Sequence, residues 1–281
     1  MKKGLVMEGG AMRGMFTCGV IDVLMENGID FDCGVGVSAG ATFGINFKSK
    51  QIGRPLRYNK KYCKDKRYGS ISSWLKTGDL YDVPFCYGTL PWELDQWDTR
   101  TFYQNPMDFY CVVTDVETGQ PHYHKCVDTV NDINWIRASA SIPVFSRPVH
   151  IGEGIYLDGG MSDSIPLKFM EDQGCDKILV IETQPYDYVK PPQGNMAVIK
   201  TYLRKYPQMI KTIQGRYKMY NAQKDYVKER EKMGKVFVIR PAAPLNIGAA
   251  EKNPDQLQRV YDLGREQMEK YIDILKEYLG E

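Results

Sequence analysis

The chain has 281 residues, of which 43% are hydrophobic, 12% aromatic and 26% charged, so its composition excludes a disordered protein and suits one large domain or two ordinary ones. Its 37 Lys and Arg against 35 Asp and Glu give a formal net charge of +2, which argues against a chain built to coat nucleic acid. The longest uncharged segment, residues 33–47, is shorter than the roughly 18–20 apolar residues of a bilayer span. Seven cysteines without a C-x-x-C pair predict free thiols and a cytoplasmic location.

The first forty residues alternate between predicted strands and helices. Residues 4–7 form a short apolar run, and apolar side chains at helical spacing predict a helix over 11–27. Residues 33–37 are a continuous apolar and glycine run, typical of a parallel strand buried on both faces. A second small-residue helix follows Ser38. This alternation predicts a three-layer α/β/α fold with a mainly parallel central sheet.

Later elements extend the same pattern. Three further strands are predicted over 109–114, 177–182 and 235–240. Residues 117–120 predict a hairpin turn that leads into another strand at 122–126. An amphipathic stripe predicts a long terminal helix over 255–279, and the two prolines within 186–194 predict a surface loop.

Residues 36–40, Gly36-Val37-Ser38-Ala39-Gly40, match the G-x-S-x-G pattern of a nucleophile elbow. The pattern follows a predicted buried strand and precedes a predicted helix, which is the context that this motif requires. Glycines flank the serine because a sharp strand-to-helix turn leaves no room for side chains. Ser38 is therefore a candidate nucleophile, with a glycine-rich turn that carries a solvent-facing serine as the alternative.

The histidines argue against the usual hydrolase triad. In that triad the order along the chain is serine, carboxylate and then histidine. The three histidines, His122, His124 and His150, all lie too early to follow a late carboxylate. His122 and His124 alternate on a predicted strand and are expected to be surface or edge side chains.

Two other segments could supply catalytic groups in place of the usual triad. Asp158-Gly159-Gly160 places a carboxylate on a glycine turn that could approach Ser38, although a plain turn explains the same residues. Residues 8–14 join a strand to a helix through small residues, whose exposed N–H groups could bind an oxyanion or a phosphate. A dinucleotide-binding G-x-G-x-x-G is excluded because Ala11 occupies a required glycine position.

Taken together, these segments resemble the patatin-like phospholipases, acyl hydrolases with a Ser–Asp dyad and an α/β/α fold. The matching segments are Gly9-Gly10-Ala11-Met12-Arg13-Gly14, Gly36-Val37-Ser38-Ala39-Gly40, Asp158-Gly159-Gly160, and Ala138 to Pro143 continuing to Phe145 and Pro148. The resemblance covers residues 5–171, which it implies are the catalytic domain. Residues 172–281 resemble the C-terminal portion of a bacterial subgroup, which would complete the sheet and add helices, either separately or within the same globular unit.

The resemblance implies a role for each motif residue. Ser38 is implied as the nucleophile and Asp158 as the base. The oxyanion would be held by backbone N–H groups of the following residues: Gly9, Gly10, Ala11 and Ala39. The supporting positions of the motifs are the following: Arg13, Gly14, Gly36, Gly40, Gly159 and Gly160. No cofactor and no metal is expected.

Ala11 departs from the family pattern, because many members have glycine at this position of the oxyanion turn. The donors are backbone N–H groups, so alanine preserves the chemistry if its φ is negative and is strained if its φ is positive. Arg13 is expected to act structurally or electrostatically, since a guanidinium is not a general base.

Charge is unevenly distributed along the chain. Residues 48–67 contain nine basic side chains and one acidic, and residues 200–235 contain eleven basic and three acidic together with five tyrosines. Basic residues mixed with aromatic ones suit peripheral contact with an anionic membrane. The alternative is a solvated helix face that packs its tyrosines inward.

Two functions follow from these observations. The first is a serine hydrolase that acts on a lipid or a small ester. The second is a catalytically weak protein on the same fold that binds lipid or a partner. Nucleic acid is not an expected partner, and the sequence leaves the oligomeric state open.

Overall fold

The computed structural model describes residues 1–280, which contain an eight-stranded sheet covered by helices. The strands are β1 (Lys3–Met7), β2 (Cys33–Val37), β3 (Asp108–Asp115), β4 (Pro121–Lys125), β5 (Val149–Ile151), β6 (Gly154–Asp158), β7 (Lys177–Ile181) and β8 (Val236–Ile239). The helices are α1 (Gly14–Glu26), α2 (Ala39–Lys48), α3 (Arg54–Tyr62), α4 (Ile71–Thr77), α5 (Thr99–Gln104), α6 (Thr129–Ser139), α7 (Leu167–Asp172), α8 (Met196–Tyr202), α9 (Pro207–Lys232) and α10 (Pro254–Leu279).

The sheet is mixed and mainly parallel. Its order is β5-β6-β3-β2-β1-β7-β8, and β4 pairs with β3 outside this path. Strands β3, β2, β1, β7 and β8 are parallel, whereas β4, β5 and β6 pair in antiparallel fashion. In register, Met7 at the end of β1 lies beside Gly36 of β2 and Ile181 of β7. The turns that follow these three strands therefore meet at one edge of the sheet.

Alternation along β1 explains the two hydrophobic layers. Leu5 and Met7 join the core formed with α1, α2 and α10, whereas Val6 joins the opposite core with α7 and α9. All three side chains are fully buried, as expected for a strand covered on both faces. The predicted three-layer α/β/α, patatin-like fold is confirmed.

Most predicted elements are confirmed with boundary shifts of one or two residues. The hairpin is formed by β3 and β4, and the terminal helix is α10. The predicted helix over 11–27 is corrected at its start, because residues 11–13 form a 3-10 turn and α1 begins at Gly14. Ala11 has φ 50°, which is incompatible with a right-handed α-helix at this position. The predicted loop over 186–194 has no helix or strand.

Within residues 1–280, none of the helices is both long enough and apolar enough to cross a bilayer.

Candidate active site

Ser38 occupies a sharp turn between β2 and α2. Its backbone has φ 55° and ψ −118°, outside the regions that a residue with a side chain normally adopts. Its N–H donates to the Ser139 hydroxyl at 2.9 Å, and that hydroxyl donates to the Val112 carbonyl at 2.6 Å. Ser139 thus ties the strained turn to β3, at the carboxyl edge of the sheet.

The glycines of this turn are required by close packing. A Cβ on Gly36 would lie 2.4 Å from the Gly40 carbonyl oxygen, and one on Gly40 would lie 2.3 Å from the Met7 carbonyl oxygen. On the other side, a Cβ on Gly9 would lie 3.0 Å from the Cβ of Ser38. The two predicted glycine segments therefore pack directly against each other around the serine.

Asp158 ends β6 and is 2% exposed. Its Oδ1 accepts the N–H of Gly160 at 2.8 Å. Gly159 is needed here because a Cβ would lie only 2.1 Å from the Val112 carbonyl oxygen. The carboxylate is thereby held on a tight turn next to β3, the strand to which Ser139 connects Ser38.

Burial raises the pKa of Asp158 above its ordinary value of 3.8. The Ser38 hydroxyl, the charge of Arg216 and the Gly160 N–H act in the opposite direction. A carboxylate with a raised pKa is a stronger base than one in water, which suits proton transfer from a hydroxyl.

The turn over residues 9–13 presents free donors beside Ser38. Within residues 1–280, the N–H groups of Gly10, Ala11 and Ala39 have no hydrogen-bond acceptor. Ala39 is the first residue of α2, so the positive end of that helix adds to the local field. Ala11 has φ 50°. Its backbone is therefore in the left-handed region, where a residue with a Cβ is strained.

The remaining motif residues surround this turn. Gly14 begins α1 and packs against Ala39 and Phe43 of α2. Arg13 is half-buried, and its Nε is fully buried without a partner. Arg13 and Gly160 line the same cavity as Asp158.

Ser38 lies between two cavities of different chemistry. One is apolar and runs among α2, α6 and the π-helical segment 84–94; its lining includes Phe43, Tyr58, Leu90 and Ile136. The other, called the polar cavity here, is more polar than the first, and its lining includes Gly9, Gly10, Asp158 and several cations. Ala11 and Ile142 line both cavities together with Ser38. The hydroxyl is therefore placed where an apolar chain and a polar group could meet.

Several residues of the polar cavity were not predicted from the sequence. Glu8 is 2% exposed, and its carboxylate accepts the Thr183 N–H at 2.5 Å and the Tyr220 hydroxyl at 2.6 Å. The Thr183 hydroxyl in turn donates to the Gly9 carbonyl at 2.9 Å. Lys190 and Arg216 also line this cavity. They follow Gly9 by 181 and 207 residues, and no local pattern in the sequence marks them.

The histidines lie elsewhere. Of the two cavities beside Ser38, neither is lined by any of the three histidines. His124 hydrogen-bonds Asp132 at 2.7 Å and stacks on Trp135 with ring centroids 4.3 Å apart. Together with Cys126, His124 and Asp132 bring potential ligand atoms within 4.8 Å of one another, but the hydrogen bond already occupies two of them. The expectation that no metal is needed stays a prediction.

Similarity to known proteins can now be added to this geometry. An uncharacterized Escherichia coli protein, YjjU, is 29% identical over 266 residues, which cover 93% of this chain and 74% of YjjU. Lysophospholipase nte1 of Aspergillus oryzae is 25% identical over 285 residues, and this chain spans only 18% of its length. The solved structure of VipD from Legionella pneumophila covers 97% of this chain, and 67% of VipD is covered, with 14% identity and a TM-score of 0.47.

Family models divide the chain into two parts. Residues 206–280 match a domain of unknown function (DUF6363). Residues 5–170, more than half of the chain, match the model described as Patatin-like phospholipase. This chain therefore belongs to the patatin-like phospholipase family.

Proposed function

We propose that this chain is a serine acyl hydrolase that cleaves carboxylic esters of lipids, with Ser38 as nucleophile and Asp158 as base. The observation that carries the proposal is the position of Ser38, on a strained turn between an apolar and a polar cavity. An ester with a fatty acyl chain and a polar alcohol has the same two-sided character.

In this mechanism the Ser38 hydroxyl attacks the ester carbonyl while Asp158 accepts its proton. The N–H groups of Gly10, Ala11 and Ala39 stabilise the oxyanion, and Gly9 allows the turn to approach the serine. Asp158 then protonates the leaving alcohol and later activates the water that hydrolyses the acyl-enzyme. Each step uses backbone donors or a carboxylate of this chain.

Relatives support the substrate class. The fungal proteins that resemble this chain are named lysophospholipases. Because this chain spans less than a fifth of their length, the whole-protein activity of those relatives is carried over only as part of this proposal. The proposal covers phospholipase A, lysophospholipase and esterase activities.

A fluorophosphonate probe tests the nucleophile. Wild-type protein should be labelled at Ser38, and Ser38→Ala should lose the label, whereas Ser72→Ala, at an exposed serine, should keep it. Asp158→Asn should lower ester turnover by about 100-fold or more while the protein stays folded, because general-base catalysis contributes about that much. Absence of labelling in folded wild-type protein contradicts the hydrolase proposal.

The alternative is a catalytically weak protein that binds lipid on the same fold. The observation that favours it is the left-handed backbone of Ala11 within the turn that supplies the oxyanion donors. A protein of this kind would bind a fluorescent fatty acid yet show no probe labelling and no turnover on a panel of lipid esters. Turnover that is lost in Ser38→Ala excludes this alternative.

We further propose a cytoplasmic location with peripheral contact to an anionic membrane. An apolar surface groove between α4 and α8 is lined by Trp74, Leu75, Val144, Val198 and Tyr202. Leu75 is 74% exposed and Val198 is 55% exposed, and both line this one groove; contiguous exposed apolar surface of this kind marks an interaction site. Val144 lies two residues after Ile142, so this groove is close to the cavities that contain Ser38.

Charge around this groove favours an anionic lipid surface. The exposed cations on α4 and immediately after or on α8 are Lys76, Lys200, Arg204 and Lys205. Flotation with vesicles containing phosphatidylglycerol should recover more protein than with phosphatidylcholine alone. The double variant Leu75→Glu and Val198→Glu should lose this binding, whereas Met233→Glu, at an exposed residue after α9, should not. Equal recovery with both lipids contradicts the electrostatic part of the proposal.

A further inference from the structure

One face of helix α9 contacts the loops at the carboxyl edge of the sheet. The side chains of this face recur at helical spacing, at positions 216, 220, 223 and 224. Tyr220 and Lys224 are buried, although the segment that contains them is rich in basic residues. Helix α9 lies within residues 206–280, which match the domain of unknown function, and outside the residues that match the patatin-like phospholipase model.

Three of these side chains each bond to a different loop. The pairs are Tyr220 with Glu8 after β1 at 2.6 Å, Gln223 with Ser164 after β6 at 3.1 Å, and Lys224 with Glu182 after β7 at 2.9 Å. Glu8 precedes the turn that supplies the proposed oxyanion donors, and Ser164 follows the turn that carries Asp158. Helix α9 therefore connects segments that carry the proposed catalytic groups.

The fourth side chain, Arg216, reaches the turn of Asp158. Its Nε donates to the Gly160 carbonyl at 2.6 Å, and the N–H of Gly160 donates to Oδ1 of Asp158 at 2.8 Å. The Ser164 hydroxyl adds a second donor to the Gly160 carbonyl at 2.7 Å. Gly160 is thus held on both sides, by the guanidinium through its carbonyl and by the carboxylate through its N–H. Loss of Arg216 would loosen the residue that orients the carboxylate.

The charges of Arg216 and Asp158 stabilise each other. Burial raises the pKa of Asp158, whereas the charge of Arg216 lowers it. Burial lowers the pKa of Arg216, whereas the charge of Asp158 raises it. Each charge therefore favours the ionised form of the other, as expected for opposite charges in a poorly solvated site. Both side chains line the polar cavity beside Ser38.

A buried general base needs such a balance. A raised pKa makes Asp158 a stronger base, but only the ionised carboxylate can accept the proton of Ser38. Without a cation nearby, burial would keep more of this carboxylate protonated at neutral pH. Arg216 supplies the cation, and it comes from a part of the chain that the catalytic motifs do not include.

We propose that α9 completes the active site, with Arg216 as a positioning residue that holds the Asp158 turn through Gly160 and keeps the carboxylate charged. Residues 206–280 then contribute directly to catalysis. The inference rests on the hydrolase function proposed above. Arg216 itself exchanges no proton, because a guanidinium stays protonated throughout the reaction. The proton of Ser38 moves to Asp158 and from there to the leaving alcohol.

The pH dependence of turnover tests the role of Arg216. In Arg216→Gln, the acid limb of kcat/KM for p-nitrophenyl butyrate should move to higher pH by about 1 pH unit or more, the size expected when an aspartate loses a neighbouring arginine. At pH 7, kcat should fall about tenfold and KM should change less than about twofold, because the base is impaired and ester binding is not. Lys218→Gln removes a charge from an exposed position of the same helix and should leave the profile unchanged.

Arg216→Lys separates the charge from the geometry of the hydrogen bond. The ammonium group keeps the positive charge, so the acid limb should stay close to its wild-type midpoint. It cannot reproduce the planar guanidinium fork, so kcat should still fall severalfold. This variant tests the positioning role even if urea unfolding shows that Arg216→Gln is unstable. Wild-type kcat in Arg216→Lys would overturn the positioning role.

A titration without substrate provides a readout that does not depend on turnover. In NMR spectra of protein with isotope-labelled aspartate carboxyl carbons, the Asp158 signal is identified by its loss in Asp158→Asn. The pKa of Asp158 should be higher in Arg216→Gln than in the wild-type protein, and it should be unchanged in Lys218→Gln. Equal values in Arg216→Gln and the wild-type protein would overturn the inference.

The remaining outcomes separate the two proposals. A higher KM in Arg216→Gln, with kcat and the acid limb unchanged, would assign Arg216 to ester binding, overturn its positioning role and leave the hydrolase function standing. A higher pKa of Asp158 in Arg216→Gln, without turnover or probe labelling of the wild-type protein, would support the pairing of Arg216 with Asp158 and contradict the hydrolase function.

Discussion

At the scale of single residues, the site contains strained backbone and a buried carboxylate, and neighbouring hydrogen bonds offset part of their energetic cost. Ser38 and Ala11 both have positive φ, and each such residue costs about 1–3 kcal/mol. Asp158 is buried at the end of a strand, where its charge is poorly solvated. The Ser139 hydroxyl and the Gly160 N–H compensate part of these costs through hydrogen bonds to Ser38 and Asp158.

The raised pKa of Asp158 predicts the acid limb of the pH profile. Because burial raises this pKa, the protonated form persists to higher pH than for an ordinary aspartate at 3.8, and protonated Asp158 cannot act as the proposed base. In a plot of kcat/KM for p-nitrophenyl butyrate against pH, the acid limb should therefore have its midpoint above pH 3.8. A midpoint below that value would mean that the hydrogen bonds and Arg216 outweigh burial.

Ala11 gives a second prediction at this scale. Ala11→Gly removes the left-handed strain of about 1 kcal/mol but adds backbone entropy to the unfolded chain, so the free energy of unfolding should change by less than about 0.5 kcal/mol. Turnover should stay within a fewfold, because the N–H donor is unchanged. Ala222→Gly, at an exposed position in α9, should cost about 1 kcal/mol. If Ala11→Gly and Ala222→Gly lower the free energy of unfolding in urea by the same amount, Ala11 is unstrained.

At the scale of elements, β1 to β4 and the motif turns of the first 171 residues follow from local patterns, whereas β5 and β6 were not predicted. Continuous apolar runs predicted β1 and β2, and the glycine motifs predicted the turns that bring Ser38 close to Gly9. The contacts that later elements make with the site could not be predicted from local patterns. For example, the hydrogen bond between Glu8 and Tyr220 joins residues 212 positions apart. Nothing in the local sequence of α9 distinguishes Tyr220 or Arg216 from surface residues of a basic helix.

Lys224 of α9 is another residue whose burial the local sequence does not indicate, and it gives a third prediction. It belongs to the basic segment 200–235, yet its side chain is 2% exposed and pairs with Glu182 at 2.9 Å. Lys224→Met should lower the free energy of unfolding by about 2 kcal/mol, less than for an isolated buried pair because Arg240 also contacts Glu182. Lys232→Met, at an exposed lysine of α9, should leave urea unfolding unchanged. Unchanged stability in Lys224→Met would show that Arg240 alone is enough to compensate the buried charge of Glu182.

At the scale of the whole molecule, residues 172–280 are built into the same sheet as residues 5–171. Strand β7 pairs with β1 along its full length, and β8 extends the sheet beyond it. Helix α10 packs against α1 at Gly19 and Gly264, where a Cβ on either would lie 2.1 Å from a backbone carbonyl of the facing helix. We therefore propose that the two portions unfold as one cooperative unit.

Gly264 tests this proposal. Gly264→Ala should force α10 away from the Phe16 carbonyl and lower the free energy of unfolding by about 2–3 kcal/mol, within a single thermal transition. Gly215→Ala in α9, where a Cβ meets nothing within 4 Å, should instead raise stability by up to about 1 kcal/mol. Two separate transitions in calorimetry would show that the portions unfold independently.

The contact between α1 and α10 has a consequence for the exchange of backbone amide protons. Helix α1 starts directly after the turn that contains Ala11, and α10, from the last part of the sequence, packs against α1. Amides of α1 and α10 should therefore exchange with deuterium at one shared opening free energy. A change that loosens α10 should speed amide exchange in the turn that contains Ala11, even though α10 contributes no side chain to either cavity beside Ser38.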